Sequence, residues 1–137
     1  MRISVEPRAS DDDKRVVRER VDLYNIARTG FDECHEVSIF LRGDLGEIRG
    51  GLLGLVWGGW LHVQHLWVEE ALRGGGHGRA LLEAAEAFAR ERGCTDAHVE
   101  SHSFQAPEFY EKLGYQRFGE IAKPSGHGEV FLRKRLA

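Results

Sequence analysis

The sequence predicts a fold of the α/β class, more narrowly α+β, built on a mixed and mostly antiparallel sheet. Three observations predict it. Apolar residues alternate with period two in several segments of the 137-residue chain, as in strands that bury one face. In other segments they recur at three-to-four spacing, as on the buried side of a helix. Short glycine turns separate successive strand segments, which indicates antiparallel hairpins.

The amino-terminal part is predicted to form a strand and then a helix. Ile3 and Val5 alternate within residues 2–7, which favours a strand. Ser10 is a good N-cap, and the three aspartates after it lie where the helix dipole stabilises anions. The apolar side of this helix ends near Ala27, and a short loop follows.

The middle of the chain is predicted to form an antiparallel meander of three strands. Val37, Ile39 and Leu41 alternate in the first strand, and the other two strands cover residues 48–57 and 60–69. The turns that join these strands are Gly43-Asp44 and Gly58-Gly59.

A strongly amphipathic helix is predicted to begin near Gly78 and to stop at Gly93. Its inward positions have three-to-four spacing and are Gly78, Leu81, Leu82, Ala85, Phe88 and Ala89. Its outward positions are Arg79, Glu83, Glu86 and Arg90.

The carboxyl-terminal part is predicted to add a strand, a short helix and two closing strands. The first strand covers residues 97–101. The short helix covers residues 106–113, with Pro107 in its first turn and Gly114 beyond its end. The closing strands cover residues 115–121 and 128–135.

Bulk composition bounds the domain and its partners. With 42% hydrophobic and 30% charged residues, the chain is expected to form one domain over residues 1–137. Its net charge is -3 and its basic residues are scattered, so nucleic-acid binding is disfavoured. The chain has no membrane-length apolar run and no signal-peptide pattern. Cys34 and Cys94 are expected to be core thiols of a cytoplasmic protein.

The most informative segment is residues 73–79, which read Arg-Gly-Gly-Gly-His-Gly-Arg between a strand pattern ending at Val68 and the amphipathic helix. The glycines remove side chains that would keep an anion from the backbone, and they permit positive φ. The helix start adds unpaired N–H groups and the positive end of the dipole, while Arg73 and Arg79 add full charges. This combination predicts a cradle for pyrophosphate.

Two better-known glycine loops do not fit this segment. The dinucleotide fingerprint needs a glycine where Arg79 or Leu81 stands. A P-loop needs a lysine followed by Ser or Thr, and no lysine lies near the glycines. Dinucleotide binding and nucleotide triphosphate hydrolysis are therefore disfavoured, and a glycine turn that binds nothing is the remaining alternative.

Arg73, Gly76 and Gly78 form an Arg-x-x-Gly-x-Gly pattern that resembles the coenzyme A pyrophosphate motif of the GCN5-related N-acetyltransferases, the GNAT family. The predicted order of elements is also similar to that family. The resemblance implies the GNAT fold, with a central sheet of six to seven strands and helices on both faces. The family often has two helices between its first two strands, whereas this chain has room for one helix and a loop. Because that region usually shapes the acceptor site, the acceptor is the least transferable inference.

The resemblance also implies which residues contact the coenzyme. In the family, backbone amides of the strand before the motif bond the thioester carbonyl and the pantetheine arm. The residues expected to bind coenzyme are Leu66, Trp67, Val68, Arg73, Gly74, Gly75, Gly76, His77, Gly78, Arg79, Ser103 and Tyr110. Ser103 stands where the family often has an asparagine. Without the resemblance, residues 66–68 would be interpreted as an ordinary core strand.

Residues 103–115 resemble the family's Asn-x-x-Ala-x-x-x-Tyr-x-x-x-Gly-Phe stretch and match it at Ala106, Tyr110 and Gly114. A tyrosine at this place commonly protonates the departing thiolate. Phenol and thiol have reference pKa values of about 10 and 8.5, so this proton transfer is nearly balanced. The alternative is that Tyr110 packs beside Leu113 on a helix face.

The general base is left open among several residues. His62 is predicted to share a strand face with Leu66, and in several family members a His or Glu at its offset from the motif deprotonates the amine. Glu100 and His102, at the end of a later strand, are the main alternatives. Weaker candidates are Glu69, Glu70 and His65. No clustered Cys and His spacing indicates a metal site, so no metal is expected.

The resemblance predicts an N-acetyltransferase that moves an acetyl group from acetyl-CoA to a primary amine of a small molecule or peptide. Tyr110 is the expected acid and His62, or a water that it holds, the expected base. A catalytically silent coenzyme A binding module, acting as a sensor or dimer partner, is the alternative. Trp57, Trp60 and Trp67 are expected to pack in the core and on the sheet face, or else to form an aromatic wall for the amine. The oligomeric state stays open, with a homodimer among the options.

Overall fold

A computed structural model describes residues 1–103 and 106–137 of the chain. The tyrosine-containing stretch at 103–115 includes Phe104 and Gln105, which lie outside the described residues. The chain divides into two compact units, Met1–Glu33 and Cys34–Ala137.

The first unit contains one helix, α1, which spans Asp11–Thr29. Its N-cap is Ser10, whose hydroxyl accepts a hydrogen bond of 3.1 Å from the Asp13 amide. Gly30 ends the helix in the left-handed region at φ 74, and its N–H donates to the Ile26 carbonyl at 2.8 Å. The predicted cap is confirmed, and the helix continues two residues beyond the predicted Ala27.

The strand predicted over residues 2–7 is not present. Ile3 is 99% exposed and Val5 is 90% exposed, so their alternation buries neither face of the segment. A strand is stabilised by cross-strand pairs and one buried face, and the period-two pattern alone supplies neither.

Over its described residues, the second unit contains a six-stranded sheet and two α-helices. The strands are β1 (His35–Arg42), β2 (Ile48–Trp57), β3 (Trp60–Val68), β4 (Asp96–His102), β5 (Gln116–Ala122) and β6 (Gly128–Arg135). The helices are α2 (His77–Glu91) and α3 (Pro107–Lys112). The strand order is β1-β2-β3-β4-β6-β5, with one parallel pair, β3 and β4, and antiparallel pairs elsewhere. The predicted mixed, mostly antiparallel sheet is thereby confirmed.

Helix α2 joins the parallel strands β3 and β4 and supplies one side of the core. Leu81, Leu82, Ala85 and Ala89 are buried, as their spacing predicts. They belong to one cluster with buried residues of the sheet, among them Val37, Leu52, Leu61, Val63, Ala97, Val99, Val130 and Leu132. The connection through α2 therefore brings β3 and β4 together as adjacent parallel strands.

Glu86 is only 2% exposed, so its predicted outward position is wrong. The position lies one helical turn after Leu82, on the flank of the buried stripe. Its carboxylate accepts a hydrogen bond of 2.8 Å from the Tyr115 hydroxyl and one of 2.9 Å from Lys134 Nζ. Burial, and then the Glu86 charge, raise the pKa of Tyr115 above its usual range. These partners compensate for the buried charge.

The cysteines and tryptophans differ in burial. Cys94 is buried, and burial raises the pKa of its thiol, whereas Cys34 is exposed and the prediction of a core thiol there is wrong. Trp60 packs on the sheet face against the His98 ring, with the ring centroids 5.7 Å apart. Trp57 and Trp67 are exposed, because they occupy the solvent side of their strands.

No helix of the described residues has the length and apolar character that a membrane span needs.

Candidate active site

The candidate site begins where the two parallel strands separate. Within the described chain, the register pairs of β3 and β4 run from Trp60–Asp96 to Val63–Val99. Beyond these pairs β4 continues alongside β6, while β3 continues alongside β2. A cleft therefore opens between the carboxyl ends of two adjacent parallel strands, which is the usual place for ligands in such sheets.

A β-bulge in β3 lies at the point of separation. Leu53 of β2 pairs with His65, and the next residue, Gly54, pairs with Val63, so that Gln64 is an extra residue on β3. Gly54 approaches the His62 carbonyl so closely that a Cβ atom would not fit there. Glycine at this position permits the bulge.

The bulge reverses which side chains face the core. Before it, Leu61 and Val63 are buried in the core; after it, Leu66 and Val68 pack against the same core. His62 lies on the opposite face, so the prediction that it shares a face with Leu66 is wrong. Period-two alternation holds only along an unbroken strand, and the extra residue shifts it by one.

Two adjoining cavities follow the separated strands. The larger one has a volume of about 620 Å³ and is lined by residues that include Leu66, Val99, Glu100 and Tyr110. The smaller one has a volume of about 350 Å³ and reaches the glycine segment. Both are lined by Leu66, Val68, Arg73 and Phe109. The two cavities therefore form one cleft that runs from the sheet to the start of α2.

The glycine segment turns the chain into α2 in the way that an anion cradle requires. Gly74 and Gly76 have φ values of 83 and 84, which disfavour other residues. Gly76 is the N-cap of α2, and as a glycine it has no side chain that could accept from the first amides of the helix. The first amides of the helix can therefore bind an anion. Gly78 lines the smaller cavity and also serves packing, because a Cβ atom there would lie 3.3 Å from the Phe109 ring.

The two arginines of the segment have different surroundings. Arg73 lines both cavities, and its Nε donates to the Val68 carbonyl at 3.1 Å. Arg79 lines the smaller cavity but is largely exposed, and its Nε donates to Glu83 at 2.7 Å. Arg73 is thus positioned by the strand that precedes the segment, while the charge of Arg79 is partly balanced one turn along the helix.

Tyr110 lies on α3 and lines the larger cavity. Its ring contacts those of Phe109 and Tyr115, with centroids 5.1 and 5.8 Å away. Burial raises the pKa of Tyr110 to about 12. The hydroxyl is therefore neutral at physiological pH and is available as a proton donor.

A polar cluster lies on the sheet face opposite the core, beside the larger cavity. His62 and His98 are register partners, and their rings stack with centroids 4.3 Å apart. His62 Nε2 lies 2.8 Å from Glu100 Oε2, and His98 Nδ1 lies 3.9 Å from Glu100 Oε1. All three side chains are half-buried. We call these three residues the sheet-face cluster.

The sheet-face cluster includes one residue that sequence analysis missed. His98 was not among the candidate bases, although it stands two residues before Glu100 on a strand and therefore shares its face. Burial lowers the pKa of His98, the neighbouring His62 lowers it further, and Glu100 opposes both effects. His98 is therefore a neutral imidazole at physiological pH.

The remaining candidates lie in other surroundings. Ser103 is bonded to the start of β6, where its hydroxyl accepts from the Gly128 amide at 2.9 Å. Glu69 is paired with Arg49 at 2.7 Å, and Glu70 begins a 3-10 turn. His65 is exposed just after the bulge, although it lines the larger cavity.

The cleft can hold an elongated ligand with an anionic end. The glycine segment offers amides and Arg73 to the anion, and Leu66, Val68 and Phe109 offer an apolar wall to an arm that follows. At the far end, Tyr110 can donate a proton, and Glu100, bonded to His62, can accept one. Transfer of a group from a thioester to an amine needs such a bound donor, a proton donor and a proton acceptor close together.

Several known proteins are similar to this chain in sequence and in fold. The profile of the acetyltransferase (GNAT) family matches residues 7–115. The chain is 51% identical over 119 residues to the blasticidin-S acetyltransferase of Streptomyces morookaense, a match that covers 83% of this chain and 88% of that protein. It is 36% identical over 124 residues to an acetyltransferase of Agrobacterium fabrum, covering 90% of each. A Bacillus cereus acetyltransferase crystal structure matches with TM-score 0.83 and 34% identity, over 96% of this chain and 97% of that one.

Proposed function

Because the chain belongs to the GNAT acetyltransferase family, and so is an acetyl-CoA-dependent N-acetyltransferase, we propose that the cleft between β3 and β4 is its active site. We propose further that residues 1–137 act as one acetyltransferase domain. The observation that carries the proposal is the continuity of the cleft, which joins the glycine segment to Tyr110 and Glu100.

The glycine segment is proposed to hold the pyrophosphate of acetyl-CoA. The positive φ at Gly74 and Gly76 and the uncapped start of α2 support this role, because they leave backbone amides for an anion. Arg73 adds a charge beside both cavities. The pantetheine arm is proposed to follow residues 66–68 of β3, which line the larger cavity beyond the bulge.

The reaction is proposed to be direct attack. The amine nitrogen bonds to the thioester carbonyl carbon, and the carbon–sulfur bond breaks. The thiolate takes its proton from Tyr110, and the amine proton passes to the pair formed by His62 and Glu100. Solvent then restores the proton of Tyr110 and removes the one held by the pair, so that the sum is an acetamide and free coenzyme A.

Burial has two effects on the proposed acid. Because the pKa of Tyr110 is about 12, its proton is held more tightly than the reference phenol value of about 10 implies. A thiolate formed in the same cleft is also desolvated, and desolvation raises its pKa too. The pKa values of the tyrosine and of the leaving thiol therefore differ less than the raised pKa of Tyr110 alone would imply.

The acceptor is proposed to be a primary amine of a small molecule, and blasticidin S is the first compound to test. The support is the name of the relative that is 51% identical over 119 residues. The carboxylate of Glu100 beside the larger cavity is compatible with a cationic amine. A peptide amino terminus is the second acceptor class.

The decisive experiment combines binding with turnover. Isothermal titration of the full chain with acetyl-CoA should show binding, and thiol release should then be measured with blasticidin S, polyamines, amino acids, aminoglycosides and short peptides. We expect turnover with blasticidin S or another small amine, and mass spectrometry would locate the acetyl group. Turnover of peptides alone would reject the small-molecule acceptor.

The same experiment separates the enzyme from a silent coenzyme A binding module. The acetyltransferase relatives favour the enzyme. Binding of acetyl-CoA without turnover of any amine would support the silent module, and absence of binding at high micromolar concentration would reject the proposed donor site.

A further inference from the structure

The sheet-face cluster offers a combination of ligand atoms that a general base does not need. It brings two imidazoles and one carboxylate together, and one ligand atom from each lies within 4.8 Å of the others. Two histidines and a glutamate form a ligand set that is known for zinc. We propose that His62, His98 and Glu100 bind a divalent transition-metal ion, Zn²⁺ in particular.

The backbone places these three ligands without help from any loop. His98 and Glu100 are two residues apart on β4 and point to the same face. His62 lies directly across from His98 in the parallel register. Because paired strands within a sheet are rigid, the ligand positions exist before any ion arrives, which lowers the cost of forming the site.

The distances suit a small ion after modest side-chain rotation. Ligand atoms at about 2.1 Å from a tetrahedral zinc ion lie about 3.4 Å from one another. His62 Nε2 lies 2.8 Å from Glu100 Oε2 and His98 Nδ1 lies 3.9 Å from the other oxygen, Oε1. One ligand atom from each of the three residues lies within 4.8 Å of the others, so the side chains need to rotate to reach the tetrahedral spacing. The half-buried side chains leave the solvent side open for a water as the fourth ligand.

The charges around the cluster also permit a cation. Glu100 lies within hydrogen-bonding distance of His62 and offers a carboxylate oxygen to the ion. On the neighbouring strand β6, Arg133 is the register partner of His98, and Arg135 pairs with Asp96. The Arg133 guanidinium lies over the Trp60 ring at 5.9 Å from the centroid, where the ring face attracts it.

The residue types also select among metals. Imidazole nitrogen prefers zinc, copper, nickel and cobalt, whereas magnesium and calcium prefer oxygen ligands throughout. No clustered spacing along the chain predicted a metal site, because the three ligands come from two strands that meet only in the sheet.

Metal binding would block the proposed base, and this part of the inference rests on the proposed function. An ion held by His62 and Glu100 occupies the lone pairs that would accept the amine proton. Zn²⁺ should therefore inhibit acetyl transfer reversibly, and a chelator should restore it. Binding itself does not depend on activity and can be tested without it.

The test is calorimetric titration of Zn²⁺ into the metal-free full chain, with Mg²⁺ as the negative control. His98→Asn should weaken Zn²⁺ binding by about a hundred-fold, since a three-ligand site loses one ligand. Two matched variants, Cys34→Ser and His127→Asn, change other metal-binding residue types and should leave the affinity unchanged. Circular dichroism would check that each variant folds.

Cobalt gives a second readout that is independent of heat and of activity. Co²⁺ bound to the cluster should show the visible absorption of a four-coordinate nitrogen and oxygen site, and His98→Asn should abolish it. The inference is overturned if the wild-type chain binds Zn²⁺ no better than about 1 mM. It is equally overturned if Cys34→Ser, and not His98→Asn, removes binding. Zn²⁺ binding without inhibition would uphold the metal site and count against the proposed base alone.

Discussion

The glycine segment at residues 73–79 lines the smaller cavity and the sheet-face cluster adjoins the larger one through Glu100, and the two are built in different ways. The segment is continuous in sequence and depends on backbone amides at the start of α2. The cluster depends on side chains from two strands, and His62 and Glu100, which are hydrogen-bonded at 2.8 Å, are 38 positions apart.

This difference indicates how the glycine segment and the sheet-face cluster each select a ligand. Backbone amides and glycine conformations are proposed to recognise the coenzyme, the ligand part common to all reactions of the enzyme, and for that a local motif is sufficient. The side chains of the sheet-face cluster are proposed to meet the acceptor, and they can change without disturbing the segment. Three changes, taken in order of expected effect, test whether the segment and the cluster are as separate as this comparison implies.

Gly76→Asp should have the largest effect, on coenzyme binding. The φ of 84 strains an aspartate, and its charge would lie at the uncapped helix start where the pyrophosphate is proposed to bind. We expect acetyl-CoA affinity to fall by about a hundred-fold or more, measured by isothermal titration.

The matched control for this change is Gly46→Asp. Gly46 has nearly the same φ, 83, and similarly open surroundings, but it lies in the turn between β1 and β2. It should bind acetyl-CoA as the wild type does. Equal losses in both variants would mean that backbone strain, and not the anion site, explains the effect.

Tyr110→Phe should lower kcat by roughly ten-fold to a thousand-fold while coenzyme affinity stays nearly constant. Because the pKa of Tyr110 is raised to about 12, the wild-type hydroxyl stays protonated well above pH 9, and its own ionisation should not appear in the pH–rate profile up to pH 10. Steady-state kinetics over pH 6 to about 10 would measure both.

Tyr115→Phe is the control for the tyrosine. The Tyr115 ring packs against Tyr110, but its hydroxyl donates to the buried Glu86. Losing that hydrogen bond should lower the free energy of unfolding by about 1–3 kcal/mol and leave kcat largely intact. An unchanged kcat in Tyr110→Phe would reassign Tyr110 to packing.

His62→Ala and Glu100→Gln should each lower kcat by about ten-fold to a hundred-fold, the smallest of the three effects because water can replace a base in part. Since the two side chains are hydrogen-bonded to each other, the double variant should be no slower than the slower single variant. Both single variants should bind acetyl-CoA as the wild type does, because neither residue lines the smaller cavity at the glycine segment.

His65→Ala provides the comparison on the same strand, since His65 is exposed beyond the bulge. It should retain most of the wild-type rate. Multiplicative losses in the double variant would show that His62 and Glu100 act separately. If His65→Ala lowered kcat as much as His62→Ala does, His65 and not His62 would be assigned as the base.

Local patterns predicted what depends on neighbouring residues in the chain. The cap at Ser10, the buried side of α2 and the left-handed glycines before it all follow from short-range geometry. The same reasoning failed at residues 2–7, where alternation indicated a strand that the sheet does not include. It also failed at Glu86, whose burial depends on Tyr115 and Lys134.

By itself, the sequence determined the mixed sheet, the helix order and the glycine segment, because hydrophobic period and backbone freedom are properties of contiguous residues. The tertiary structure alone decided which face His62 occupies, since an extra residue at Gln64 reverses the alternation. It also decided that His98 joins His62 and Glu100. Such a cluster forms only when two strands far apart in the chain pair in one register, and no local pattern records that register.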